Sequence, residues 1–126
     1  MNRRTFLLIS KDTDLRTLLQ QASPQTDIHT ANTVSEGLSV WPEILPALVF
    51  CEGNPRSLTP LLEYGRHVPA SPPVIVIGDG HSIKDAVAMM RAGVADYLTK
   101  PILLEELQVA ITRVLHRPAP LPSSSP

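Results

Sequence analysis

The sequence predicts a doubly wound α/β fold built on a parallel sheet. Three observations carry this. The chain has 126 residues, which suits one domain with its own core. Short, continuously apolar runs recur along it, as expected of strands buried on both faces. Helical patterns fill the intervals between them, and strictly alternating strands and helices imply a parallel sheet with right-handed crossovers and helices on both faces.

The first strand is "FLLI" (6–9), and "DLRTLLQQA" after it places Leu15, Leu18 and Leu19 on one helical stripe. Asp12 stands where that helix needs its N-cap. "DIHTA" (27–31) alternates in polarity, which suits a sheet edge, and a weak helical pattern follows around 34–41. "ALVFC" (47–51) is the third strand and runs into Glu52. A second weak helix is expected around 58–67, with Pro60 near its start, where a missing N–H costs least. "VIVI" (74–77) is the fourth strand. "SIKDAVAMMRAG" then has a Ser82 cap with Asp85 three residues on, and Gly93 as its stop. "ADYLT" (95–99) is the weaker fifth strand. "LLEELQVAITRVLHR" closes the domain, with Leu103, Leu107, Ala110 and Val114 on one face. Its acids lie in the first turn and its bases in the last, as the helix dipole favours. From residue 118 the chain changes to "PAPLPSSSP", too poor in apolar surface to pack a core. Residues 1–117 are therefore read as the domain and 118–126 as a tail or linker dispensable for folding.

Composition excludes several functions. Net charge is -1, with no basic surplus for bulk nucleic-acid binding. The single cysteine, Cys51, allows no internal disulfide and no multi-cysteine zinc site. "MNRRTFLLIS" opens like a secretory signal, but its apolar segment is short and "KDTD" follows at once. No run approaches the roughly 20 apolar residues of a membrane helix, and a cytoplasmic protein is expected. The four histidines are scattered, without ligand or triad spacing. Gly78 and Gly80 read as a loop without the pattern of a phosphate-cradling turn.

In a doubly wound fold the working site lies at the carboxyl ends of the strands. Those ends carry "SKD" (10–12), "EGN" (52–54), "GDG" (78–80) and "KP" (100–101). With "DLRTLL", "PALVF" and above all "AMMRAGVADYLTKPILLEEL" (88–107), the chain resembles the receiver domain of two-component response regulators over about residues 4–117. The resemblance implies a five-stranded flavodoxin-like fold with strand order 2-1-3-4-5. It also implies a site made of two cation-holding carboxylates, a phosphate-accepting aspartate, a hydroxyl and a lysine. Here the carboxylate pair falls on Ser10 and Lys11, the acceptor on Glu52 and the hydroxyl on Gly78. Lys100 remains, followed by Pro101 with the family's cis bond, and Tyr97 stands at the aromatic switch position.

Four of the five groups are thus replaced, only Lys100 remaining, and a lysine enters the cation position. The family's site sums to about -2 before its cation. Lys11, Glu52 and Lys100 sum to +1 here, or zero with Asp12, which is a displaced metal ligand if it is not simply the cap. A hard divalent cation needs oxygen ligands, mostly carboxylates. The expectation is a pseudo-receiver: a regulatory interaction module without enzymatic activity, cofactor or metal. Glu52 would be held by Lys11 and Lys100. The alternatives are a working receiver phosphorylated on Glu52, and a small-molecule-binding flavodoxin-like domain. Expected partners are proteins, through a weak homodimer on the face of the fourth helix, fifth strand and fifth helix (Lys84, Met90, Arg91, Asp96, Arg113). An output domain in the same chain, most commonly one that regulates transcription, is also expected, with no direct nucleic-acid or membrane contact by this domain.

Overall fold

The computed structural model describes residues 4–68, 71–80 and 82–116. The tail 118–126 and the boundary before it lie outside the described residues. Five strands and five helices alternate: β1 (Thr5–Ile9), α1 (Thr13–Ala22), β2 (Asp27–Ala31), α2 (Val34–Ile44), β3 (Leu48–Glu52), α3 (Pro55–Arg66), β4 (Val74–Gly78), α4 (Ile83–Ala92), β5 (Asp96–Thr99) and α5 (Leu104–Leu115). The sheet is parallel throughout, in the order β2-β1-β3-β4-β5. No helix among the described residues is long and apolar enough to cross a membrane.

The apolar runs become the three central strands because both their faces are covered. Alternate residues supply two separate cores. Phe6, Leu8, Phe50, Ile75 and Ile77 pack against Leu15 and Leu19 of α1 and Leu107, Ala110 and Val114 of α5. Leu7, Ile9, Val49, Cys51 and Val76 pack against Trp41 of α2, Leu58 and Leu61 of α3 and Met89 of α4. The strands β2 and β5 lie at the edges, and most of their residues are exposed or half-buried, as the alternation of "DIHTA" foretold.

The helix ends show where local chemistry prevailed and where it did not. The Ser82 hydroxyl accepts from Asp85 N at 3.1 Å, and Gly93 closes α4 at φ 104°, both as expected. Asp12 caps α1, accepting from Asp14 N and Leu15 N. By contrast, α3 begins at Pro55, behind an Asn54–Ser57 capping box, so Pro60 lies inside the helix and not at its start. Likewise α2 runs through Pro42 to Ile44 and ends on Leu45 in a left-handed conformation, three residues past the expected stop. Leu103 is the N-cap of α5 and stays exposed. Its N–H is satisfied by the Glu106 side chain at 3.0 Å, so it does not join the buried face. Met90 is exposed, as its place on the expected partner face requires, and only Met89 is buried on that helix.

Candidate functional site

The carboxyl ends of β1, β3 and β5 deliver Ser10, Glu52 and Lys100 to one place. The register makes this unavoidable: Ile9 pairs with Cys51, so the next residues, Ser10 and Glu52, emerge side by side. The Ser10 hydroxyl donates to Glu52 Oε1 at 2.6 Å. The Lys100 ammonium lies 2.7 Å from Glu52 Oε2 and 2.7 Å from Asp12 Oδ2. Asp12 therefore serves twice, with Oδ1 capping α1 and Oδ2 holding Lys100. Both oxygens of Glu52 are engaged.

The expected contact between Lys11 and Glu52 does not form. The Ser10 hydroxyl accepts from Asp12 N at 3.0 Å, which closes a tight turn and leaves Lys11 on its exposed outer side. Lys11 lines a cleft of about 640 Å³, which it shares with Glu52 and Ser57, but does not pair with Glu52. The cluster of Asp12, Glu52 and Lys100 consequently carries one net negative charge, which replaces the expected +1 or zero.

The electrostatics follow from these contacts. The hydrogen bond from Lys100 holds the Asp12 carboxyl below its ordinary value of 3.8, helped by the backbone donor at Leu15. Desolvation alone would lower the Lys100 ammonium, but its hydrogen bonds to Asp12 and Glu52 outweigh this and raise it above 10.5. Cys51, fully buried beneath the site, is pushed up to about 12 by desolvation and by Glu52, and stays a neutral thiol.

These residues do not fit a divalent cation. Its ligands would have to be Asp12 and Glu52, and the Lys100 ammonium already bridges that pair. Among the described residues, no group of three or more His, Cys, Asp or Glu side chains is placed to hold a metal.

Gly78 is not a loop residue but the last residue of β4, buried and paired with Thr99 of β5. A Cβ at this position would lie 2.6 Å from Tyr97 Cζ and nearer still to its hydroxyl oxygen. The ring of Tyr97 thus fills the space that a side chain at 78 would need, and it packs on the core shared by α2, α3 and α4. Desolvation first, then the carboxylates of Asp79 and Asp85, raise its phenol above 10.0. The Lys100–Pro101 peptide bond is cis, as the resemblance implies.

Ser10 is the contributor that residue-by-residue reading missed. By residue type it is only a lost carboxylate, and the strand register of the apolar runs is the signal that sets it beside Glu52.

The five-stranded parallel sheet in the order 2-1-3-4-5, with five helices around it, is the flavodoxin-like fold of response regulator receiver domains. Several solved structures share it. The signal receiver domain from Vibrio parahaemolyticus matches at TM-score 0.79 and 23% identity, covering 92% of each chain. The receiver domain of NtrX from Brucella abortus matches at TM-score 0.76 and 24% identity, covering 89% of this chain and 98% of that one. In a longer NtrX chain the match, at TM-score 0.76 and 24% identity, covers 90% of this chain but 27% of that one. No family model and no curated protein matches the sequence.

Proposed function

We propose that this chain is a pseudo-receiver, a regulatory module that signals through protein contacts and has no phosphorylation chemistry of its own. One observation carries the reading: the Lys100 ammonium lies 2.7 Å from both Asp12 and Glu52, between the carboxylates a cation would need. Without a divalent ion, phosphoryl transfer lacks its main charge stabilisation. Each Glu52 oxygen is engaged, Oε1 by Ser10 and Oε2 by Lys100, so none is free for attack unless one of these partners lets go. Gly78 supplies no hydroxyl to meet a phosphate. The permanent charge of Glu52, one methylene further out than an aspartate's, stands in for part of a phosphoryl group's charge.

The small-molecule reading has less support. The cleft beside Glu52 and the groove of about 470 Å³ beside Lys100 have no aromatic side chain in their walls.

The finer parts of the proposal concern partners. Ile83, Val87 and Met90 lie one turn apart on α4, all exposed, and favour a weak homodimer through the α4–β5–α5 face. Asp96 and Arg113, 3.5 Å apart, pair with each other within the chain, so the apolar stripe and not these charges would form the seam. An output domain in the same chain is supported by the longer NtrX chain, in which the matched part accounts for about a quarter; that this domain regulates transcription is part of the proposal. The net charge of -1 favours leaving any nucleic-acid contact to that domain. A cytoplasmic setting accords with these roles.

Calorimetric titration with magnesium chloride tests the reading. No saturable heat is expected at millimolar magnesium, while saturable binding at or below that level would refute it.

A further inference from the structure

Gly78 is not flagged by its backbone. The glycines with positive φ are Gly80 and Gly93, and Gly78 sits in regular β4 geometry that any residue adopts. A glycine in mid-sheet gives up side-chain packing and conformational entropy, so close approach by another group is the usual reason for one. That group is Tyr97. A built Cβ would stand 2.6 Å from Cζ and 3.3 Å from Cε2, with the hydroxyl oxygen nearer than either. Real Cβ contacts do not reach such distances, and the half-buried ring packs on the core beneath α4. The overlap is therefore complete even for alanine. The seat of Tyr97 and any side chain at residue 78 exclude each other.

We propose that Gly78 is a positioning residue that holds Tyr97 in a single inward seat, so that β5 and the neighbouring α4 present one surface and not two. The inference deepens the pseudo-receiver reading on its output side but rests on different side chains: Gly78 meets the cluster only through its backbone carbonyl, which accepts from Lys100 N at 3.0 Å, and neither the missing Cβ nor the Tyr97 ring is part of the Asp12–Glu52–Lys100 contacts. The raised phenol of Tyr97 is consistent with a desolvated seat. Beside it, the exposed stripe of Ile83, Val87 and Met90 is displayed next to a ring that does not exchange.

The test uses the full chain carrying Tyr64→Phe, so that Tyr97 is its only tyrosine, with labelled-tyrosine NMR and alkaline absorbance titration as readouts. Unaltered Gly78 is expected to give one set of Tyr97 ring signals and a titration above 10.0. Gly78→Ala is expected to move those signals and bring the titration down toward the ordinary value. In case that variant folds poorly, Gly78→Ala is also compared in a Tyr97→Ala background. There it should cost little, while in the presence of Tyr97 it should lower the melting temperature. Unchanged Tyr97 signals and titration in a folded Gly78→Ala protein would overturn the inference, as would an equal loss of melting temperature in both backgrounds. Magnesium titration of the same proteins keeps the two readings apart, because a failed interlock with no magnesium binding leaves the pseudo-receiver reading intact.

Discussion

Lys100 is where the fate of the site is decided. Its ammonium is about one-third exposed and is shared by two carboxylates, so its value lies between that of a surface pair and a buried one. Lys100→Met should cost about 1–2 kcal/mol in chemical denaturation at neutral pH, because Asp12 and Glu52 are left to repel each other. Glu52→Gln should cost less, since Asp12 still holds the lysine. Lys11→Ala should change stability by no more than about 0.5 kcal/mol, because that side chain is exposed and outside the cluster. The pH dependence has a definite sign. Asp12 is lowered, so its contribution is present above 3.8 and is lost as pH falls through its lower folded value. Lys100 is raised, so its contribution is present below 10.5 and is lost as pH climbs through its higher folded value. Denaturation midpoints across pH should show both losses in the unaltered protein and smaller ones in Lys100→Met. The pairing of Glu52 with Lys100 was legible because both stand at the carboxyl ends of apolar runs, where a doubly wound sheet gathers its working residues. The exclusion of Lys11 was not, since it depends on a serine turn whose direction no pattern of residue types reveals.

Among the elements, legibility tracked the punctuation. Both ends of α4 were readable because Ser82 and Gly93 act through their own side chain or lack of one. The end of α2 was not, because Leu45 takes a left-handed turn that its residue type disfavours. Pro60 misled for a related reason: Pro55, five residues earlier, already holds the first-turn place. Two helical glycines give a paired prediction of opposite sign. A Cβ on Gly65 would meet Trp41 Cη2 at 3.6 Å, an ordinary contact, so Gly65→Ala should stabilise by about 0.5–1 kcal/mol through helix propensity. A Cβ on Gly37 would lie 2.5 Å from Ile9 Cδ1 in the core, so Gly37→Ala should destabilise by about 1–3 kcal/mol through overpacking. Thermal melts of the two variants check both signs.

For the whole molecule, strand order and two-sided burial follow from continuous apolar runs separated by helices, and that much was plain from the residues alone. Assembly was less so, because the apolar stripe on α4 emerges only once Met89 is seen to take the buried side and Met90 the exposed one. Sedimentation equilibrium should show a weak, concentration-dependent dimer that Ile83→Glu abolishes; a strictly monomeric profile at high concentration would remove the homodimer from the proposal. The central claim is that Lys100 occupies the place of the cation and that Glu52 is a fixed carboxylate with no transfer chemistry. Intact mass after incubation with magnesium and acetyl phosphate tests it most directly. The expected result is an unchanged mass for both the unaltered protein and Glu52→Asp, because neither can hold the ion. Gain of one phosphoryl group on the unaltered protein, lost again in Glu52→Gln, would contradict it.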